Sequence, residues 1–160
     1  MLNLSKIPYR YIKILSTVVG IGYIPKAPGT YGSLAGLLCH IFGRNSFSTI
    51  WYYALLAAGL YLSVLICGEA EKRMHKKDPA CVVLDEFMVM PLCFLGLSIE
   101  ECLWIWVLGF IVFRVFDIFK PLGIAKLQNL KGGWGVVMDD VAAAFATNIV
   151  LQGVIVLGKF

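Results

Sequence analysis

Charge is scarce in this chain: Asp, Glu, Lys and Arg make up 15% of its 160 residues, against about 25% in an ordinary soluble domain. Phosphate loops of the nucleotide-binding kind are absent, because neither GxxxxGK[ST] nor GxGxxG occurs. The cysteines Cys39, Cys67, Cys81, Cys93 and Cys102 form no CxxC pair, and His40 and His75 sit in no HExxH or Cys-His spacing. A thiolate or imidazole metal centre is therefore not expected, and the cysteines read as small buried hydrophobes. No cleavable leader is expected either, since the apolar stretch 16–24 runs into Lys26-Ala27-Pro28-Gly29-Thr30 rather than a small-residue cleavage site. No repeat or linker divides the chain, which reads as one domain over 1–160.

What is plentiful is apolar. Hydrophobic residues reach 59% and mean hydropathy is +0.81, values that point to a small membrane protein. Residues 50–68 carry no charge and would cover about 28 Å as a helix, against a hydrocarbon core of about 30 Å. The run 141–158 is likewise uncharged, and its Thr147, Asn148 and Gln152 are expected to face neighbouring helices. Runs at 33–47, 87–98 and 102–113 are short enough to be core helices or spans, and the intervening charges decide between these. With crossings at about 33–48, 50–68, 86–99, 102–117 and 141–158, twelve of the fourteen basic residues share one side, leaving Arg44 and Lys159 opposite. The crowded side is then cytoplasmic.

The expected fold is all-α: a compact helical membrane protein with about four to five apolar helices and its motif loops on the cytoplasmic side. Met1 would lie inside, Phe160 outside, and Glu100 with Glu101 would form a short outer turn. Residues 9–19, where Arg10 and Lys13 alternate with Ile12, Ile14 and Leu15, suit an amphipathic helix on the membrane surface or one packed on its neighbours.

The same threading collects Asp85, Glu86, Asp117, Asp139 and Asp140 at cytoplasmic edges of apolar runs. Ionised groups there are costly unless paired, solvated or metal-bound. Their one-sidedness favours interfacial chemistry over transport, which would set such groups near mid-span. Four stretches carry them or accompany them. The first, Lys26 to Ser33, is a Pro-Gly-rich loop able to cradle phosphate, with Ser33 as a helix N-cap, or an ordinary turn before a capped helix. Asp85-Glu86 opens a helix, where the macrodipole alone could account for it or where two hard oxygens could hold Mg2+. Arg114, Asp117 and Lys120 recur every three residues before Pro121, as an ion-pair ladder or a phosphate clamp. Gly132-Gly133-Trp134-Gly135 leads to Asp139-Asp140, a vicinal pair beyond what a cap needs.

Taken in order, Pro28-Gly29-Thr30 with Gly32-Ser33, Asp85-Glu86-Phe87, Phe113-Arg114 with Phe116-Asp117-Ile118 and Lys120-Pro121, and Gly132-Gly133 with Gly135 and Met138-Asp139-Asp140 closely resemble phosphatidylglycerophosphatase A. The likeness covers about residues 20–144. Val89, Gly123 and Ala144 stand where that family more often has Gly, Pro and Gly, at packing positions beside the motifs.

The resemblance implies an all-helical, Mg2+-dependent enzyme of the bacterial cytoplasmic (inner) membrane, with its active site facing the cytoplasm, acting in phospholipid biosynthesis. Its reaction would hydrolyse phosphatidylglycerophosphate to phosphatidylglycerol and inorganic phosphate. On that reading Asp85, Glu86, Asp139 and Asp140 hold the metal, with Asp117 as a further ligand or orienting group, while Arg114 and Lys120 neutralise the phosphate. Thr30, Ser33 and the amides around Gly29 and Gly32 add phosphate contacts, and Lys26 meets a second phosphate or anionic headgroups. Nucleic acid is not an expected partner, since the basic residues are dispersed over loops. Headgroup transferases that use CDP-alcohols are set aside because DGxxAR is missing. The non-enzymatic alternative is a small helical membrane transporter or scaffold whose charges pair structurally.

Overall fold

The computed structural model describes residues 4–97, 103–121 and 123–158. Glu100, Glu101, Cys102, Lys159 and both terminal residues, on which the expected outer turn and end placements rest, lie outside the described residues. Six α-helices follow one another: α1 (Tyr9–Ser16), α2 (Pro28–Gly43), α3 (Thr49–Met74), α4 (Leu84–Val89), α5 (Leu103–Phe119) and α6 (Gly133–Gly158). Short 3-10 turns join them, and no strand occurs among the described residues. The all-α expectation holds.

Helices α3 and α6 are long and apolar enough to cross a membrane; at 26 residues each they span about 39 Å. Outward faces elsewhere are apolar too. Leu103, Val107, Ile111, Val115 and Ile118 form an exposed stripe along α5 at helical spacing. A continuous apolar face turned outward is what lipid, not water, stabilises.

The segment expected at 102–117 forms as α5, while two others, the first and the third, differ from expectation. The first is displaced toward the N-terminus, since α2 begins at Pro28 and is 16 residues long. The third does not form as one helix: α4 stops at Val89 and residues Met90–Phe94 continue as a 3-10 turn. Pro91 lies just inside that turn; it has no N–H to donate and its ring would clash with the preceding α-helical turn. The broken segment nonetheless reaches deep into the bundle, because the Asn148 side-chain amide on α6 donates to Cys93 O and Leu95 O, both at 3.0 Å.

One core lies between α4, α5 and α6, built on Phe113, Met90, Val89, Phe94 and Leu151. Val89 and Ala144, two of the three departures beside the motifs, are fully buried in it. A second core joins α1 to α3 and α6 through Ile12, Val64, Cys67 and Val137. Ile12 thereby packs α1 on the bundle, the second of the two alternatives for this segment, while Tyr11, Ile14 and Leu15 stay exposed. Cys67 and Cys93 are buried as expected, but Cys39 is exposed. Close helix contact needs glycine at Gly133, where a Cβ would fall 1.8 Å from Val64 O on α3.

Candidate active site

The stretch expected to be a phosphate loop is helix almost from its start. Lys26 and Ala27 both take positive φ, at 66° and 53°, and turn the chain so that Pro28 can occupy the first helical position of α2, where its missing N–H costs nothing. Ser33 is consequently inside the helix rather than capping it. Its hydroxyl donates to Gly29 O at 2.8 Å and accepts from Arg114 Nη1 at 3.1 Å, so it holds the guanidinium in place. Gly32 is buried against Val83 and, being beyond the first turn of α2, has its amide committed within the helix. Gly29, in that first turn, remains at the site. A Cβ there would lie 2.2 Å from Glu86 Oε1 and 3.5 Å from Arg114 Nη1.

Helix α4 delivers its two carboxylates in its first turn, as its sequence suggests. Asp85, Glu86 and Asp140 can each direct one oxygen to a common point, all three lying within 4.8 Å of one another. Asp139 and Asp140 lie in the second turn of α6, which starts at Gly133 rather than just before them. Neighbours on a helix point about 100° apart, and the pair divides accordingly. Asp140 joins Asp85 and Glu86, whereas Asp139 Oδ2 takes a hydrogen bond from Lys120 Nζ.

The cations come from the end of α5. Arg114 Nη1 pairs with Asp117 Oδ2 at 2.7 Å, and Lys120 Nζ lies 3.8 Å from Asp117 Oδ1. Lys120 itself stands just past the helix, at φ 45°, its amide donating to Phe116 O at 2.8 Å. Asp117 therefore sits between both cations. Burial would depress Lys120, but its bond to Asp139 and the charges around it outweigh that and hold the ammonium above its ordinary pKa. Burial, then the charge of Glu86, pushes Asp85 well above the carboxylate range.

Four buried polar atoms among the described residues have no hydrogen-bond partner: Asp85 Oδ1, Glu86 Oε2, Asp139 Oδ1 and Arg114 Nε. All belong to this one cluster. Three are acceptors, which a hard cation satisfies, and one is a donor, which an anion satisfies. Neither Lys26 nor Thr30 has a hydrogen bond or ion pair to the cluster among the described residues. The role of Ser33 as the hydroxyl behind Arg114 was hidden in the sequence, because the two residues are 81 positions apart.

The family model for phosphatidylglycerophosphatase A matches residues 14–155. A phosphatidylglycerophosphatase A of Escherichia coli is 33% identical over 133 residues, covering 81% of this chain and 75% of the relative. One of Haemophilus influenzae is 34% identical over 143 residues, covering 88% and 86%. A Bacteroides thetaiotaomicron protein, provisionally named as a phosphatidylinositol-3-phosphatase, is 33% identical over 143 residues, covering 86% and 89%. No solved structure matches the chain significantly.

Proposed function

This chain belongs to the phosphatidylglycerophosphatase A family, and we propose on that premise that it is a Mg2+-dependent lipid phosphatase that converts phosphatidylglycerophosphate to phosphatidylglycerol and inorganic phosphate. The observation that carries the reading is the cluster of orphaned buried oxygens on Asp85, Glu86 and Asp139 beside Arg114. Five carboxylates, Asp85, Glu86, Asp117, Asp139 and Asp140, face two cations, Arg114 and Lys120. Ionised, as they must be to hold a cation, these carboxylates would repel a phosphate monoester, so a site for this substrate calls for added positive charge.

The donor set consists of hard carboxylate oxygens, as Mg2+ prefers, and three of them would leave positions of its octahedron for water and phosphate oxygens. Asp85, Glu86 and Asp140 would hold it, with Asp139 and Asp117 adjacent. Bound there, the ion would polarise the phosphoryl group and make an attacking water more acidic. The chain supplies the rest. Arg114 and Lys120 grip phosphate oxygens, Asp117 and Ser33 fix the guanidinium, and the N-terminus of α2 turns its positive end toward the anion. Water is the preferred nucleophile, since no aspartate of the cluster is set apart for attack on phosphorus.

The active site belongs at the cytoplasmic face of a bacterial inner-membrane protein that crosses more than once. The basic asymmetry of the loops supports this orientation. With the five native cysteines replaced, an impermeant thiol reagent on intact cells should label Ser46→Cys, at the α2–α3 turn, and spare Asp78→Cys until lysis. The reverse pattern would put the site on the outer side.

The name of the Bacteroides relative favours a second substrate, an inositol lipid carrying a monoester phosphate. Purified protein should therefore be given phosphatidylglycerophosphate, phosphatidylinositol-3-phosphate, phosphatidic acid and a soluble phosphomonoester, with Mg2+ or with EDTA. Fastest release from phosphatidylglycerophosphate, abolished by EDTA, is expected. Preference for the inositol lipid would replace the substrate, equal rates would remove lipid specificity, and no release from any would overturn the reading.

A further inference from the structure

Helix α2 carries its site residues on one face, and that face does not end at the site. Gly29 and Ser33 touch Glu86 and Arg114; Gly36, one turn on, lies against Phe87 O, where a Cβ would come within 2.3 Å. Continuing at helical spacing, Gly36, Cys39, His40 and Gly43 line a cavity of about 240 Å³. Its opposite wall is Tyr52, Leu55 and Leu56 of α3, and its floor is Phe87, Met88 and Pro91. The cavity exists because α4 packs against both α2 and α3 and holds them apart. The two outer helices meet at the far end, where His40 Nδ1 is bonded to the Tyr52 hydroxyl. The volume is far more than one water needs, and the lining is mainly apolar.

We propose that this groove receives an acyl chain of the lipid whose phosphate lies against the carboxylates. The inference rests on the lipid phosphatase reading above. Continuity argues for it: the groove begins one helical turn, about 5 Å, from the site residues and follows the same face of α2 away from them. Its direction is that of a lipid entering head first, with phosphate at the charged end and chains running toward the opposite rim. An apolar groove fed from the substrate's own attachment point fits a hydrocarbon chain, and binding energy gained there would serve to orient the phosphate.

Two measurements test it. Leu55→Trp, on the groove's exposed wall, should lower kcat/KM for dipalmitoyl phosphatidylglycerophosphate at least about fivefold while leaving hydrolysis of its deacylated headgroup unchanged. Cys39, a free exposed thiol in the groove, should be protected from N-ethylmaleimide by a non-hydrolysable phosphonate analogue of that lipid in the presence of Mg2+, and not by the analogue's deacylated headgroup or by phosphatidylcholine. Equal loss on both substrates, no loss on either, or equal protection by phosphatidylcholine would overturn the groove assignment. Headgroup hydrolysis by the unaltered enzyme reports on the phosphatase reading separately. Should Leu55→Trp fail to fold, the protection of Cys39 decides the question alone.

Discussion

The two ends of this bundle treat buried polar groups in opposite ways. At the far end each one is answered from within the chain: His40 by Tyr52, and Asn148 by two backbone carbonyls and Gln152, with the ring of His40 stacked on Phe94 and edge-on to Trp106. At the near end the helices deliver five carboxylates, and buried oxygens on three of them are left without partners. A buried polar atom without a partner costs about 1–3 kcal/mol, more when charged. One pattern is that of a scaffold; the other is sensible only when something else completes it. The contrast also weighs against the structural-pair alternative, since charges placed for stability alone would be arranged to satisfy one another.

The sharpest way to break that contrast is to remove charge from the unfinished end. Asp140→Asn and Asp139→Asn should each leave the protein inserted and folded while reducing turnover at least about a hundredfold, the first by removing a proposed ligand for the divalent ion and the second by removing the partner that holds Lys120. Near-normal turnover of both at saturating Mg2+ would return the cluster to a structural role. Arg114→Lys comes next. It keeps the charge but loses the planar guanidinium, whose Nη1 meets both Asp117 and Ser33 and whose fork can grip two phosphate oxygens, so kcat/KM should fall about tenfold. If Arg114→Lys kept wild-type kinetics while Arg114→Ala lost only thermal stability, the ladder would be a structural one.

Glycines sharpen the comparison further. Gly29→Ala drives a methyl into Glu86 Oε1, so the carboxylate or the helix must move and activity should drop several-fold. Gly153→Ala meets nothing within 4 Å on α6 and should raise thermal stability by roughly 0.5–1 kcal/mol with unaltered turnover. Equal effects from the two substitutions would mean that Gly29 is there for packing alone.

How far this was legible in the sequence differs residue by residue. The helical class and the two longest spans follow from uninterrupted apolar runs, whose length translates directly into membrane thickness. Asp85-Glu86 was readable because adjacency in a first helical turn places both at one spot. Asp139-Asp140 was readable only as a pair: adjacent helix positions do not face the same way, and which one joins Glu86 is set by how α6 is rotated against α4. The Pro28–Ser33 stretch misleads, since Pro and Gly signal a turn, whereas here Pro28 starts α2 and the glycines admit α4 at close range. Tertiary contact overrides propensity there. The single helix expected at 86–99 breaks before Pro91, a residue whose backbone consequence is strict but which counts as apolar in any hydropathy sum.

The mildest intervention belongs to the finished end. Asn148→Ala removes the donor that ties α6 to the carbonyls of Cys93 and Leu95, leaving both buried acceptors weaker and freeing Gln152 from its hydrogen bond to Asn148 Oδ1 at 2.7 Å. The three lost hydrogen bonds, one of them at the exposed Gln152, should together cost about 2 kcal/mol, read as a lower unfolding midpoint in detergent. Turnover per folded molecule should stay within about twofold, because Asn148 is two turns along α6 from Asp140, roughly 12 Å of helix, and touches none of the charged groups. Unfolding curves and phosphate release on the same preparation separate the two quantities. A large fall in turnover without a shift in midpoint would show that the far end acts on the chemistry, and the division between scaffold and site would have to be redrawn.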